Sequence, residues 1–294
     1  PGFAPWAMKE SRKDTASQPS LTLEWTPDDN RMYYFSWKEG FKSGGYDLDA
    51  FFYPTVKKTL GFNPEEVEAL ELGARMDMES ARVNVTAFSS EYKDLQVAVF
   101  NGVIGFNTSN AGRAKSQGVE LETIWAPADN FSLNGSLVWL DATYRDFPGA
   151  QCYKNQPATT CKVIATVPQP TSAQDLSGQS LPFAPKWSGT FGAERRRLLG
   201  SGLELVSRLD VFFTEDFYAD GDADPNVVQS GFTKIDLRIA LSDQDGNWEV
   251  AFVGRNLTDE LTSHYRSDAV GFPAAYTAMT DRTRQYGFQA RFNF

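Results

Sequence analysis

Polar and apolar side chains alternate through residues 282–294. Arg284, Tyr286, Phe288, Ala290, Phe292 and Phe294 fall on one face, and Thr283, Gln285, Gly287, Gln289, Arg291 and Asn293 on the other. The same period of two sets Leu70, Leu72, Ala74 and Met76 against Glu71, Arg75 and Asp77. It sets Leu203, Leu205, Leu209, Val211 and Phe213 against Glu204, Arg208 and Asp210, and Thr233, Ile235, Leu237, Ile239 and Leu241 against Lys234, Asp236, Arg238 and Ala240. In a last run Trp248, Val250 and Phe252 oppose Glu249, Ala251 and Val253. A period of two is that of a β-strand, and a strand with one greasy and one hydrophilic face suits a wall between lipid and water. Soluble sandwiches alternate as well, but seldom this many times at this length.

Connection lengths alternate too. Short links rich in turn-forming residues fall at 27–30, 79–80, 127–130, 199–201 and 244–246; long ones fall at 46–64, 101–112, 148–185, 219–230 and 261–281. Interleaved, they predict about eleven antiparallel strands with every long loop at one end, as in outer-membrane barrels. Trp25, Trp125, Phe131, Trp248 and Phe294 cluster beside the short links, whereas Trp37, Tyr92, Trp139, Trp187, Phe213 and Phe217 lie towards the long ones. Two aromatic belts mark the two membrane interfaces. The expectation is an all-β, transmembrane antiparallel β-barrel wall.

Composition narrows the partners. No apolar run approaches the ~20 residues of a membrane helix, which leaves a β-barrel as the membrane architecture; mean hydropathy is −0.40. A net charge of −10 argues against nucleic acid as the main partner. The opening residues PGFAPW have no charged, apolar or cleavage region of a signal peptide, so either processing has happened or the true N-terminus lies upstream. Neither a catalytic triad, a phosphate loop nor zinc spacing is present, which predicts a non-enzyme without cofactor.

Five segments, in order, resemble the C-terminal barrel of TonB-dependent outer-membrane receptors: RMYYFSWKEGFKSGGY from Arg31, EEVEALELGAR from Glu65, FSSEYKDLQ from Phe88, SQGVELE from Ser116 and GRNLTD from Gly254. The resemblance implies a barrel of about twenty-two strands filled by an N-terminal plug. About half of such a wall is read here, over residues 20–294, with 1–19 as the remnant of an extracellular loop; neither plug nor energy-coupling box is found. A C-terminal fragment, or a second chain that supplies the remaining strands, would follow, because an open sheet edge in lipid leaves backbone groups unpaired. The resemblance further implies energy coupling through the TonB complex, outer-membrane lipids as surroundings, and assembly machinery that reads the terminal Phe294.

On that reading Glu71, Arg75, Asp77, Arg82, Glu120, Glu122, Lys234, Asp236, Arg238 and Arg255 face the lumen and hold the plug. The last long loop offers His264, Tyr265, Arg266, Phe272 and Tyr276, an aromatic and cationic set able to stack on or pair with a ferric chelate. His264 is the sole histidine, so a site of several imidazoles is excluded and no metal site is expected. Asp220, Asp222 and Asp224 begin like a calcium loop, but Pro225 and Gly231 replace its glycine and closing glutamate, which favours a solvated acidic loop. Asn256-Leu-Thr fits a glycosylation acceptor but reads better as part of the family segment. Cys152 and Cys161, the only cysteines, share the longest loop and are expected to form an extracellular disulfide. The expected function is energy-coupled uptake of a scarce, bulky nutrient, foremost a ferric siderophore. A passive porin, a barrel-anchored adhesin and a soluble all-β binding domain are the alternatives.

Overall fold

The computed structural model describes residues 11–46, 61–100, 106–165, 171–269, 272 and 275–293. Eleven strands form one sheet: β1 (Ser20–Asp28), β2 (Arg31–Lys42), β3 (Glu65–Met78), β4 (Ala81–Phe100), β5 (Phe106–Ala128), β6 (Phe131–Asp146), β7 (Trp187–Leu199), β8 (Leu203–Thr214), β9 (Phe232–Asp243), β10 (Trp248–Arg255) and β11 (Gln285–Phe292). Each pairs antiparallel with its successor, so sheet order is chain order.

Register converts alternation into two surfaces. Phe35, Leu72 and Ala87 lie abreast, as do Leu121 beside Leu137, and Leu241 beside Val250 and Ala290. This face stays open: Leu72 is 61% and Phe288 81% exposed. So broad an apolar surface is unfavourable in water and is satisfied by hydrocarbon. Its upper limit is visible on β3, where Leu70 gives way to Glu68. The indole N–H of Trp37 donates to Glu68 Oε1 at 2.9 Å, keeping the ring with the apolar band and its polar edge above it. At the same level Lys115 pairs with Glu91 and Gln117 donates to Asp141. Trp139 and Trp187, neighbours in register, extend this upper girdle. Trp25, stacked on Tyr33 at 5.4 Å, belongs to the lower one.

Two of the short turns share a local design. Trp25-Thr-Pro-Asp-Asp-Asn30 and Trp125-Ala-Pro-Ala-Asp-Asn130 both shift register immediately after the tryptophan. Proline has no N–H to give to the ladder, so the strand bulges there and then turns.

Above the apolar band the walls continue. β4 and β5 are 20 and 23 residues long, about twice what a tilted crossing needs. Residues 106–112, expected as loop, therefore belong to β5: the polar run Asn107–Gly112 carries no alternation of its own, but its backbone ladder with β4 is intact as far as Phe106. The connection after β6 folds back along that strand, with Leu181 N–H donating to Ala142 O and Gly178 N–H to Tyr144 O. Ala111, Ala114, Tyr144, Phe147, Ala150 and Leu176 pack here as a small buried core. Arg284, expected on the lipid face of the last strand, instead precedes it and pairs with Asp259 at 2.8 Å. Phe294 lies outside the described residues.

Candidate functional site

The inner face is a polar lattice. Tyr34 donates to Glu71 Oε1 at 2.5 Å, and the Arg75 guanidinium lies 5.8 Å from its ring centre. Arg82 pairs with Asp77, and Asn84 reaches Glu122 at 3.4 Å. Arg238 pairs with Glu249 at 2.6 Å, and Arg291 stands 3.8 Å from the same carboxylate. Arg208 binds Asp210 through two nitrogens, with Glu194 and Arg196 adjoining. Glu120 and Arg255 are exposed and carry no ion pair among the described residues. The other side chains named for plug contact are thus mostly braced by neighbours in the wall.

Lys234 and Asp236 serve the mouth. Asp236 Oδ1 accepts from Asn256 N–H at 2.8 Å, while Asn256 Nδ2 donates to the carbonyls of Glu260 and Arg282. That amide, on a residue 6% exposed, is occupied in a turn and closed to glycosylation. Lys234 Nζ meets Asp281 at 3.0 Å and Thr262 at 2.6 Å, and His264 Nδ1 lies 3.3 Å from the same Asp281.

The last long connection is a hairpin of Ser263–Asp268 and Tyr276–Thr280. Arg266 is spent on its neighbour: it donates to Val228 O at 2.8 Å and to Gln229 Oε1 at 3.2 Å, clamping the 219–230 connection. Phe272 and Tyr276 are exposed, and Tyr265 faces a cavity of about 820 Å³. Tyr144, Phe147, Tyr265 and Pro182 form apolar parts of its lining; Lys154, Asp220, Asp222 and Asp268 are the charged ones. A cavity of this size matches a drug-sized chelate. Cys152, joined to Cys161 with Cα atoms 5.7 Å apart, also lines it.

The acidic run is not the solvated loop expected. Asp222 is 8% and Asp224 1% exposed, because Gln174 reaches across to the Asp222 carbonyl at 2.6 Å and the 225–227 turn folds over Asp224. Burial first, then the Asp220 charge, pushes the Asp222 carboxyl up to about 7. Burial likewise raises Asp220 and Asp268. Only their convergence in space reveals this group; Asp268 is remote from Asp222 in sequence.

Comparison with known proteins agrees with this architecture. The pesticin receptor of Yersinia enterocolitica is 33% identical over 138 residues, which is 46% of this chain and 20% of that protein. The ferric yersiniabactin uptake receptor of Yersinia pestis superposes with a TM-score of 0.68 at 20% identity, over 94% of this chain and 37% of that one. A siderophore receptor of Acinetobacter baumannii gives 0.65 at 16% identity, over 92% and 35%. The chain thus spans about a fifth of the curated relative and just over a third of the solved receptors. The family model of the TonB dependent receptor-like β-barrel matches residues 5–257, and the chain belongs to that family of outer-membrane receptors.

Proposed function

We infer that the chain contributes the C-terminal wall and mouth of a receptor for energy-coupled uptake, with a ferric siderophore as cargo. The observation that carries this reading is the family match over residues 5–257. The similarity to receptors described as taking up ferric yersiniabactin or a siderophore supports the cargo class. An apolar outer face, a polar inner face and loops meeting over one cavity fit a wall that retains a ligand above a filled lumen.

In this reading residues 20–294 are wall and loops, and residues 1–19 belong to an outer loop. The margins β1 and β11, whose outer edges have no partner among the described strands, join further strands of the barrel. Glu120, Arg255 and Arg75 offer the plug its hydrogen bonds. Coupling to the inner membrane runs through that plug to the TonB complex, and Phe294 is read by the assembly machinery.

The test is growth of an iron-limited strain lacking the gene, complemented with the complete gene product and supplied with single ferric siderophores. Restored growth on one chelate, abolished when the proton gradient is collapsed, is the expected result. Uptake that survives the collapse overturns energy coupling.

A further inference from the structure

Above the upper girdle the outer face of the wall becomes charged. A groove of about 740 Å³ runs across it from β2 to β6. Its side chains continue the register rows of the apolar band: Glu68, Glu91 and Lys115 lie abreast one row above Leu70, and Glu66, Lys93 and Arg113 one row higher. Arg145 bounds the groove on β6. These groups therefore stand on the lipid side of the wall and not in the lumen.

The charges are sorted along the groove. Glu39, Glu66 and Glu68 stand on β2 and β3, whereas Lys93, Arg113, Lys115 and Arg145 stand on β4 to β6. Glu91 is the one acid lining the basic end, and it pairs with Lys115 at 3.3 Å. Lys93, Arg113 and Arg145 are exposed and carry no ion pair or side-chain hydrogen bond among the described residues. Asp146, the register partner of Arg113, forms no ion pair with it; its Oδ2 lies beside Gly112, 2.8 Å from where a Cβ would stand. In a chain of net charge −10, three unpaired cations gathered on one outer patch run against the average and call for an anion from outside.

Depth decides which anion. Two residues climb ~7 Å along a strand, or ~5 Å along the membrane normal at a tilt of about 40°. Lys115 is two such steps above Val119, the lipid-facing register partner of Trp139, and Lys93 and Arg113 are one step higher. A headgroup layer is ~5–8 Å deep on each side of the hydrocarbon, and the long stems of lysine and arginine reach down across the remaining distance. Cations at this level meet lipid phosphates, and the guanidinium fork matches a phosphate with two parallel hydrogen bonds. We propose that the basic end of this groove binds the phosphate of an outer-leaflet lipid, whose acyl chains lie down the apolar band beside Leu70 and Val119. The site is separate from the mouth cavity and does not depend on which cargo the receptor takes.

The complete receptor, purified in a nonionic detergent, is titrated with dioleoylphosphatidic acid and with dioleoylglycerol, which has the same chains and no phosphate, and retained lipid is counted by native mass spectrometry. A preference for the phosphatidic acid of about tenfold is expected, and it should fall with added salt. Lys93→Gln/Arg113→Gln/Arg145→Gln should abolish it. Arg195→Gln/Arg197→Gln, which removes two exposed cations at the short-turn end of β7, should leave it intact. No preference in the wild type, a preference that survives the triple substitution, or an equal loss in both variants overturns the site. A second measurement needs no variant: phosphatidic acid should shield Arg113 and Arg145 from phenylglyoxal and leave Arg195 as reactive as before. Absence of that shielding overturns the site even if the triple variant misfolds. Inorganic phosphate at the same concentration should neither displace the lipid nor shield the arginines; if it does both, the groove takes a soluble phosphate and the lipid assignment falls.

Discussion

Tyr34 lies across Gly73: a Cβ on that glycine would stand 2.1 Å from the ring. The two residues are register partners on the lumen face, and the missing side chain lets the ring lie flat enough for its hydroxyl to reach Glu71 and, at 3.2 Å, Thr86. Gly73→Ala forces the ring away and is expected to cost ~1–3 kcal/mol by overpacking. Thermal unfolding in detergent measures it. In a Tyr34→Ala background the cost should vanish, since the two substitutions couple through one contact; an undiminished cost in that background would refute the packing account.

Leu72 and Glu120 stand on opposite faces of the wall. Leu72→Arg puts a charge into hydrocarbon and is expected to destabilise by ~2–4 kcal/mol, as charges on the lipid face do near the midplane. Glu120→Gln, facing the polar lumen without an ion pair, should stay within ~0.5 kcal/mol. Refolding into vesicles with urea titration distinguishes them, and equal effects would contradict the assignment of faces.

The strands were legible in the sequence because each face of the wall meets one solvent, so side-chain period equals backbone period. Glu65–Met78 and Gln285–Phe292 show this directly. The signal stops above the apolar band, where neither face has to meet lipid, which is why Asn107–Gly112 looked like loop although its ladder continues. The mouth was less legible. Tyr265 was singled out as an aromatic and does line the cavity, but Arg266 could not be recognised as a clamp without Gln229 beside it. The burial of Asp222 comes from Gln174, 48 residues away, and no local pattern encodes it.

Ionisation at the mouth makes loop order depend on pH. The folded carboxyl of Asp222 is raised above its usual 3.8 to about 7. Its contribution is therefore fully present below about pH 4 and is lost as pH rises through about 7. Asp220, Asp224 and Asp268 share this field, with Lys154 opposing it at Asp268. Residues 219–230 should exchange amide hydrogens more slowly at about pH 5.5 than at about pH 8, beyond the intrinsic rate change. Asp222→Asn should flatten that difference; a difference of unchanged size would show that another group is responsible.

The bond between Cys152 and Cys161 closes a short loop, a separation of 9 residues, worth ~2–3 kcal/mol on the chain-entropy account. Its reach is local. Replacing both by serine should leave the gel mobility of the folded barrel unchanged while speeding protease cleavage within residues 148–185. Loss of the folded barrel would mean that the bond supports more than its own connection.

Strand order that repeats chain order also has a kinetic meaning. Every wall strand finds its partner in the strand just made, so the sheet can grow by successive hairpins, each step closing only the connection between neighbours. The short turns are cheap closures that can form first, and the long connections then bring finished hairpins edge to edge. Because the apolar side chains point outward into lipid, burying them inside the chain does not drive the process; growth of the ladder in the membrane does. Such a wall elongates like a zipper, each of the eleven described strands from β2 onward docking on the one before it.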